Sequence, residues 1–209
     1  MARPRRGLVY RPTAQRGGSN ESLQAMNYIG MLKWRRRLGL PSMGEFSIPV
    51  EFAMHIDEAI RSRRAVKGYD AGFTLSTEEK NELLQLALLA PTAFNLQHVR
   101  LVEVSDPALR QQIRAVGWDQ AQMTDASMLV VICAQVDSWE KNVGRVWEGA
   151  PVEVQQFMAG AIDNYYRDKP QVQRDETMRS CGLVAQTLML AARGKGLDSC
   201  PMDGFDFDA

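Results

Sequence analysis

Histidine and cysteine are scarce in this 209-residue chain, with two and three copies respectively. His55 and His98 alone cannot build a multi-histidine metal site, and the chain has no His-Glu-x-x-His. A Ser-His-Asp or Cys-His hydrolase would have to use one of these two, yet neither a nucleophile elbow nor a reactive-cysteine signature is present. Cys133, Cys181 and Cys200 are too few for a disulfide framework and lie too far apart for a zinc knuckle or a Cys-x-x-Cys redox site. They are expected to be small buried thiols in a reducing compartment. Also lacking are a Gly-x-Gly-x-x-Gly after a strand and a phosphate loop ending in Gly-Lys-Ser/Thr. No apolar stretch of the secretory type follows the basic start, so the cytoplasm is the expected location. The longest mostly apolar run, Ala126 to Val136, falls far short of the roughly 20 residues of a spanning helix, and no membrane anchor is expected.

What is present is ordinary globular material. Hydrophobic residues make up 45% and charged residues 24%, which excludes global disorder and collagen-like composition and supports one domain with its own core. The formal charge of zero conceals two halves. Residues 1–50 carry nine Lys/Arg against Glu21 and Glu45, and residues 51–209 carry an equal acidic excess. The leader also contains Pro4, Pro12, Pro41, Pro49 and the turn-rich Arg16-Gly-Gly-Ser-Asn patch. Residues 1–50 are therefore expected to form a basic, poorly ordered extension with at most a short helix around Leu23 to Leu38, and residues 51–209 the folded domain. No aromatic interleaving or folded basic motif supports a nucleic-acid role.

From Phe52 the pattern becomes regular. A short helix through His55 to Arg61 puts Ile56 and Ile60 on one face and runs into Arg61-Ser-Arg-Arg-Ala-Val-Lys67. Ser76-Thr-Glu-Glu79 reads as a capping box, and the helix it opens ends at Pro91. Val99 to Val104 alternates as a strand, Asp106-Pro107 opens a helix closing near Gly117, and Met128 to Val136 reads as a strand buried on both faces. Two long helices follow, over about 151–167 and 173–193, the second apolar nearly all round from Cys181 to Ala192 and in need of cover on every side. The tally is about six helices and two strands, which is little material for a sheet.

Four segments carry chemistry. Arg63-Arg64-Ala-Val-Lys67 places three cations at a helix end, suited to an anionic phosphate, although a basic helix end alone is more often solvated surface. Pro91-Thr-Ala-Phe-Asn-Leu-Gln97 offers amide and hydroxyl groups on a constrained loop, able to bond the edge of a polar heterocycle. Gln120-Ala-Gln122 precedes Thr124-Asp-Ala-Ser127 and the buried strand. Gly196-Leu-Asp-Ser-Cys-Pro201-Met-Asp-Gly-Phe205 leads from the apolar helix into a Pro/Gly turn whose backbone could approach a planar ligand.

In this order and spacing the segments resemble the nitroreductase family of FMN-dependent NAD(P)H oxidoreductases, over roughly residues 54–207. The resemblance implies an α+β fold with helices around a small mixed sheet. It implies a homodimer with the flavin at the interface, and hydride transfer from NADH or NADPH through FMN to a nitroaromatic, quinone or enone-type acceptor. The flavin N5 carries the hydride, so no catalytic side chain is required, and neither a metal nor nucleic acid has a place. By position, Arg63, Arg64 and Lys67 would meet the flavin phosphate, ribityl chain and ring edge. Pro91, Thr92, Ala93 and Asn95 would come from the partner subunit. Gln122, and with it Asp119, would touch the ring or ribityl chain. Pro201, Met202, Asp203 and Gly204 would lie along the ring, and the helix Thr177 to Ala192 would be the central dimer helix.

Two departures bear on activity. Ala65 stands where many members have serine. Family chains also continue with further strands, an exchanged tail and a basic pair for the phosphate, whereas this chain stops at Ala209. The sheet is therefore expected to lack its C-terminal strands. Two alternatives follow: a truncated, non-catalytic dimerising module that binds flavin poorly, or a flavin-dependent deiodinase or ring-cleaving member of the superfamily.

Overall fold

The computed structural model describes residues 28–34, 54–206 and 208; most of the basic leader, with its Arg16-Gly-Gly-Ser-Asn patch, lies outside them. Eight α-helices and four strands follow in the order β1 (Tyr28–Trp34), α1 (Ile56–Ser62), α2 (Thr77–Ala87), β2 (Val99–Glu103), α3 (Pro107–Val116), α4 (Gln122–Asp125), β3 (Met128–Ala134), α5 (Ser138–Lys141), α6 (Val143–Val146), α7 (Val152–Tyr166), α8 (Pro170–Gly194) and β4 (Leu197–Met202). The sheet order is β2-β3-β1-β4 with every named pair antiparallel. Among the described residues parallel character is confined to one bridge, Ala65 to Ser199, so the mixed sheet expected from the resemblance is mixed there only at that edge.

Two of these strands depart from expectation. Residues 28–34, placed by the sequence in a poorly ordered leader or a short helix, form a central strand with Gly30 opposite Val130 on one side and Pro201 on the other. The stretch Tyr-Ile-Gly-Met-Leu-Lys-Trp is rich in residues that favour strands, and in this slot it pairs the facing edges of β3 and β4. The second is β4, where a turn was expected. Its residues 197–202 alternate too weakly to signal a strand, and Pro201 argues against one.

The strand β3 behaves as its composition predicts. Met128, Val130, Ile132 and Ala134 face one cluster with Leu83, Leu84, Ala87, Val184 and Leu188 from α2 and α8. Leu129 faces the other way, against Met123, Cys200 and Met202. The sheet is thus sandwiched between α2 and α8 on one side and the α3–α4 corner on the other. A satellite cluster of Leu96, Trp139, Val146, Ile162 and Tyr166 joins α5, α6 and α7 to the loop before β2. The capping box forms as read, with the Glu79 N–H donating to Ser76 Oγ at 3.1 Å and the Ser76 N–H to Glu79 Oε2 at 2.8 Å. Asp106 caps α3 in the same way, accepting from the Ala108 N–H at 2.8 Å.

Apolar faces remain open. On α1 only Ala59 is buried, while Ile56 and Ile60 are 64% and 56% exposed, so the periodic isoleucine face points outward. On α8 the residues Cys181, Val184, Ala185, Leu188 and Ala192 are buried, but Leu183 on the opposite side is half exposed and Gly182 and Gln186 lie beside it. One protomer therefore covers one side of the helix that the sequence marks as apolar all round. No helix among the described residues is long and apolar enough to cross a membrane.

Candidate functional site

The segment after α1 leaves the helix in extended conformation at Arg63 and runs beside β4, with Ala65 bridging Ser199 and the Val66 N–H donating to the Ser199 carbonyl at 3.2 Å. Arg193, in the last turn of α8, fixes this junction. Its Nε donates to Ser62 Oγ at 2.9 Å and its Nη1 pairs with Asp198 at 2.8 Å, tying the start of the cationic strip to the start of β4. The strip thereby becomes an extra edge of the sheet, beside the Pro201–Gly204 end of β4.

Cys200 marks the centre of this cluster. Burial pushes its thiol up from the ordinary value, while a hydrogen bond from the Gln122 side chain and the positive charge of Lys67 pull the other way. Burial also raises Tyr69, followed by the charges of Cys200 and Asp198, which puts the phenol in the same neighbourhood. The buried Gln122 amide in turn donates to Gln120 Oε1 at 3.3 Å, and the Gln120 amide donates to the Asp203 carbonyl at 3.2 Å. Lys67, Gln122 and residues 201–204 are therefore assembled in one place by three separate segments, the strip after α1, α4 and the end of β4. Arg63 sits half-buried at the head of the strip, but Arg64 turns back, donating through Nη1 to the carbonyls of Arg61 and Arg63 at 2.8 Å each.

Gly204 closes the cluster. Its φ of +88° belongs to the left-handed region, and a Cβ there would lie 2.7 Å from the Trp118 ring. A cationic strip and a buried amide beside the backbone of residues 201–204 make up a donor set suited to a planar ring bearing a phosphate tail. The residues present fit FMN in this respect.

Pro91, Thr92, Ala93 and Asn95 lie elsewhere. The Ala93 N–H donates to Ser180 Oγ at 3.3 Å in the middle of α8, and Thr92 Oγ1 accepts from the Gln97 N–H at 3.0 Å. Phe94, Asn95 and Gln97 all have positive φ, between 50° and 57°, a strained arrangement for residues with a Cβ and typical of functional loops. Phe94 is held edge-on against Tyr165 and Tyr166. Along α8, Ser180 and Arg193 are separated by about 20 Å at the 1.5 Å rise of a helix. The loop feeds β2, at one edge of the sheet, whereas the cationic strip flanks β4 at the other. Within one protomer the two groups do not meet.

Residues 60–209 match the model of the Nitroreductase family. The chain belongs to that family. It is 50% identical over 149 residues to Protein DrgA of Synechocystis sp., a match covering 71% of each chain. It is 32% identical over 154 residues to the provisionally named NAD(P)H nitroreductase YodC of Bacillus subtilis, covering 71% of this chain and 76% of that one. Among solved structures it resembles a provisionally named nitroreductase of Exiguobacterium sibiricum in complex with FMN, with a TM-score of 0.68 at 25% identity, covering 75% of this chain and 78% of the other. The α+β fold is that of nitroreductases.

For a nitroreductase, the residues that sequence reading passed over are the ones that position the site. Arg193 and Asp198, five apart across the end of α8, form an ion pair spanning a helix–strand junction invisible to periodicity. Ser180 reads as one small residue within an apolar helix, yet it holds the 91–95 loop. Trp118, following the Gly117 that ends α3, carried no motif and lies against Gly204.

Proposed function

We propose that this chain is an FMN-dependent oxidoreductase that acts as a homodimer, passing reducing equivalents from NADH or NADPH to a nitroaromatic, quinone or enone-type acceptor. FMN, when bound, supplies two-electron redox chemistry for which the protein needs no side-chain acid of its own. The cluster's residues bind and orient. Arg63 and Lys67 offer positive charge to the phosphate and to the polar ring edge, and the Gln122 amide hydrogen-bonds the ring or ribityl chain. Pro201, Met202, Asp203 and Gly204 present a backbone face to the ring. Pro91, Thr92, Ala93 and Asn95 come from the partner subunit and exclude water from the second side.

One observation carries this reading: Lys67, Gln122 and residues 201–204, far apart in sequence, gather around Cys200. The dimer is supported by the separation of the 91–95 loop from that cluster and by the open apolar sides of α1 and α8. The three free thiols suit the reducing cytoplasm, where we place the protein. Arg64, which spends its guanidinium on its own helix end, favours the second reading of a dimerising module that holds flavin weakly. Purified protein supplemented with FMN and desalted separates the two. Retained flavin absorbance with NADPH or NADH oxidation on adding a quinone is expected; a colourless protein would overturn the proposal.

A further inference from the structure

Trp118 is the feature that the cofactor reading leaves unexplained. The residue is 75% exposed, although burying so large an aromatic ring would stabilise the fold. Its backbone is costly too, since Trp118 and Asp119 both lie in the left-handed region at φ of 57° and 51°. Two consecutive non-glycine residues in that conformation persist only where the surroundings hold them.

The surroundings do so from every side. Gly117 ends α3 where a Cβ would lie 2.9 Å from the Ile113 carbonyl oxygen and 2.7 Å from Met123 Sδ, so the chain passes tightly there. Arg114 then grips Asp119 twice, through Nε to the carboxylate at 2.6 Å and through its carbonyl, which accepts the Asp119 N–H at 3.1 Å. The Gln120 amide donates to the Gly117 carbonyl and to the Asp203 carbonyl, both at 3.2 Å, pinning the turn to the end of β4. The indole is thereby laid against Gly204, whose missing Cβ leaves room for ring carbons Cε3 and Cζ3. A backbone turn fixed by these bonds sets an exposed aromatic face beside the backbone assigned to the flavin ring.

We propose that Trp118 determines acceptor specificity, its indole serving as the stacking platform for planar aromatic or quinone acceptors. The inference rests on the FMN-site reading above. An aromatic ring left in solvent beside a cofactor edge gains its contacts when a flat substrate arrives, and aromatic stacking needs a face of this kind. A small non-planar oxidant gains nothing from it.

The test compares wild type, Trp118→Ala and Trp118→Phe as FMN-loaded enzymes. Steady-state kinetics use menadione and p-nitrobenzoate as flat acceptors and ferricyanide as a non-planar one. In Trp118→Ala, KM for both flat acceptors is expected to rise roughly three- to tenfold, the worth of one aromatic stacking contact, with kcat little changed. KM for ferricyanide and the Kd for FMN stay within about twofold of wild type, and Trp118→Phe restores most of the loss. Independently of turnover, p-nitrobenzoate quenches tryptophan emission of the wild-type holoenzyme and does so less in Trp118→Ala. Unchanged KM for menadione in an FMN-loaded Trp118→Ala protein overturns the proposal. So does loss of FMN from that variant, which would make Trp118 a cofactor-holding residue. A wild-type protein that binds no FMN overturns the underlying site reading instead.

Discussion

At the residue scale the site divides its cations unequally. Arg63 heads the strip beside β4, while Arg64 satisfies two carbonyls at the end of α1. Reversing the charge at Arg63 with Arg63→Glu is expected to weaken FMN binding by roughly ten- to a hundredfold, the worth of a charged hydrogen bond. Arg64→Ala should cost much less. Fluorescence titration of FMN against both variants checks the order, and equal affinity of Arg63→Glu and wild type would contradict the phosphate assignment. A second residue-scale consequence lies away from the site. Burial, aided by the Arg100 charge, lowers His98 from 6.5 to about 4, and its Nε2 has no partner. The folded protein therefore refuses a proton that the unfolded chain accepts. That contribution is complete above about pH 6.5 and is lost as the pH falls toward 4, up to about 3 kcal/mol in all. Urea midpoints at pH 7.5 and pH 5 should differ markedly in wild type and less in His98→Gln; an equal drop in both would assign the acid lability elsewhere.

At the element scale, the parts with strong local signals were legible. The Ser76 capping box, the Asp106-Pro107 helix start and β3, buried along one face and in part along the other, needed only propensity, capping and periodicity. The sheet was not legible, because β1 and β4 owe their strand character to neighbours distant in sequence. Pro201 sits within β4, and Tyr28–Trp34 lies in a leader whose composition suggests disorder. A register between Gly30, Val130 and Pro201 leaves no trace in any local window. Its energetic consequence is testable. Because β1 supplies the backbone partners of both β3 and β4, Gly30→Pro should break the ladder on two sides and lower stability by about 3 kcal/mol or more. Urea unfolding followed by circular dichroism measures it, and an unchanged midpoint would show that residues 28–34 do not complete the sheet.

At the scale of the whole molecule, the residues alone give the four motifs as a set, and only the family resemblance, which implies that Pro91, Thr92, Ala93 and Asn95 come from a partner subunit, divides them in space. The sequence places Lys67, Gln122 and Asp203 in one list with Thr92 and Asn95; the fold puts them at opposite edges of a sheet, the latter pair anchored near Ser180 and the former near Arg193. In the homodimer we propose, a second copy unites them. A complementation experiment follows directly. Lys67→Glu damages one half of each site and Ala93→Glu the other, so each homodimer is expected to be inactive. Mixed dimers carry one site with both defects and one with neither, and co-expression should restore about a quarter of wild-type activity. No recovery would mean that both halves belong to the same protomer.

In the proposed enzyme FMN is held between two copies of the chain. Sedimentation velocity with detection in the flavin absorbance band tests it in one measurement. Flavin is expected to co-sediment with a species of twice the 23.4 kDa chain mass, at one FMN per chain. Flavin left at the meniscus, or travelling with a 23.4 kDa monomer, would contradict it.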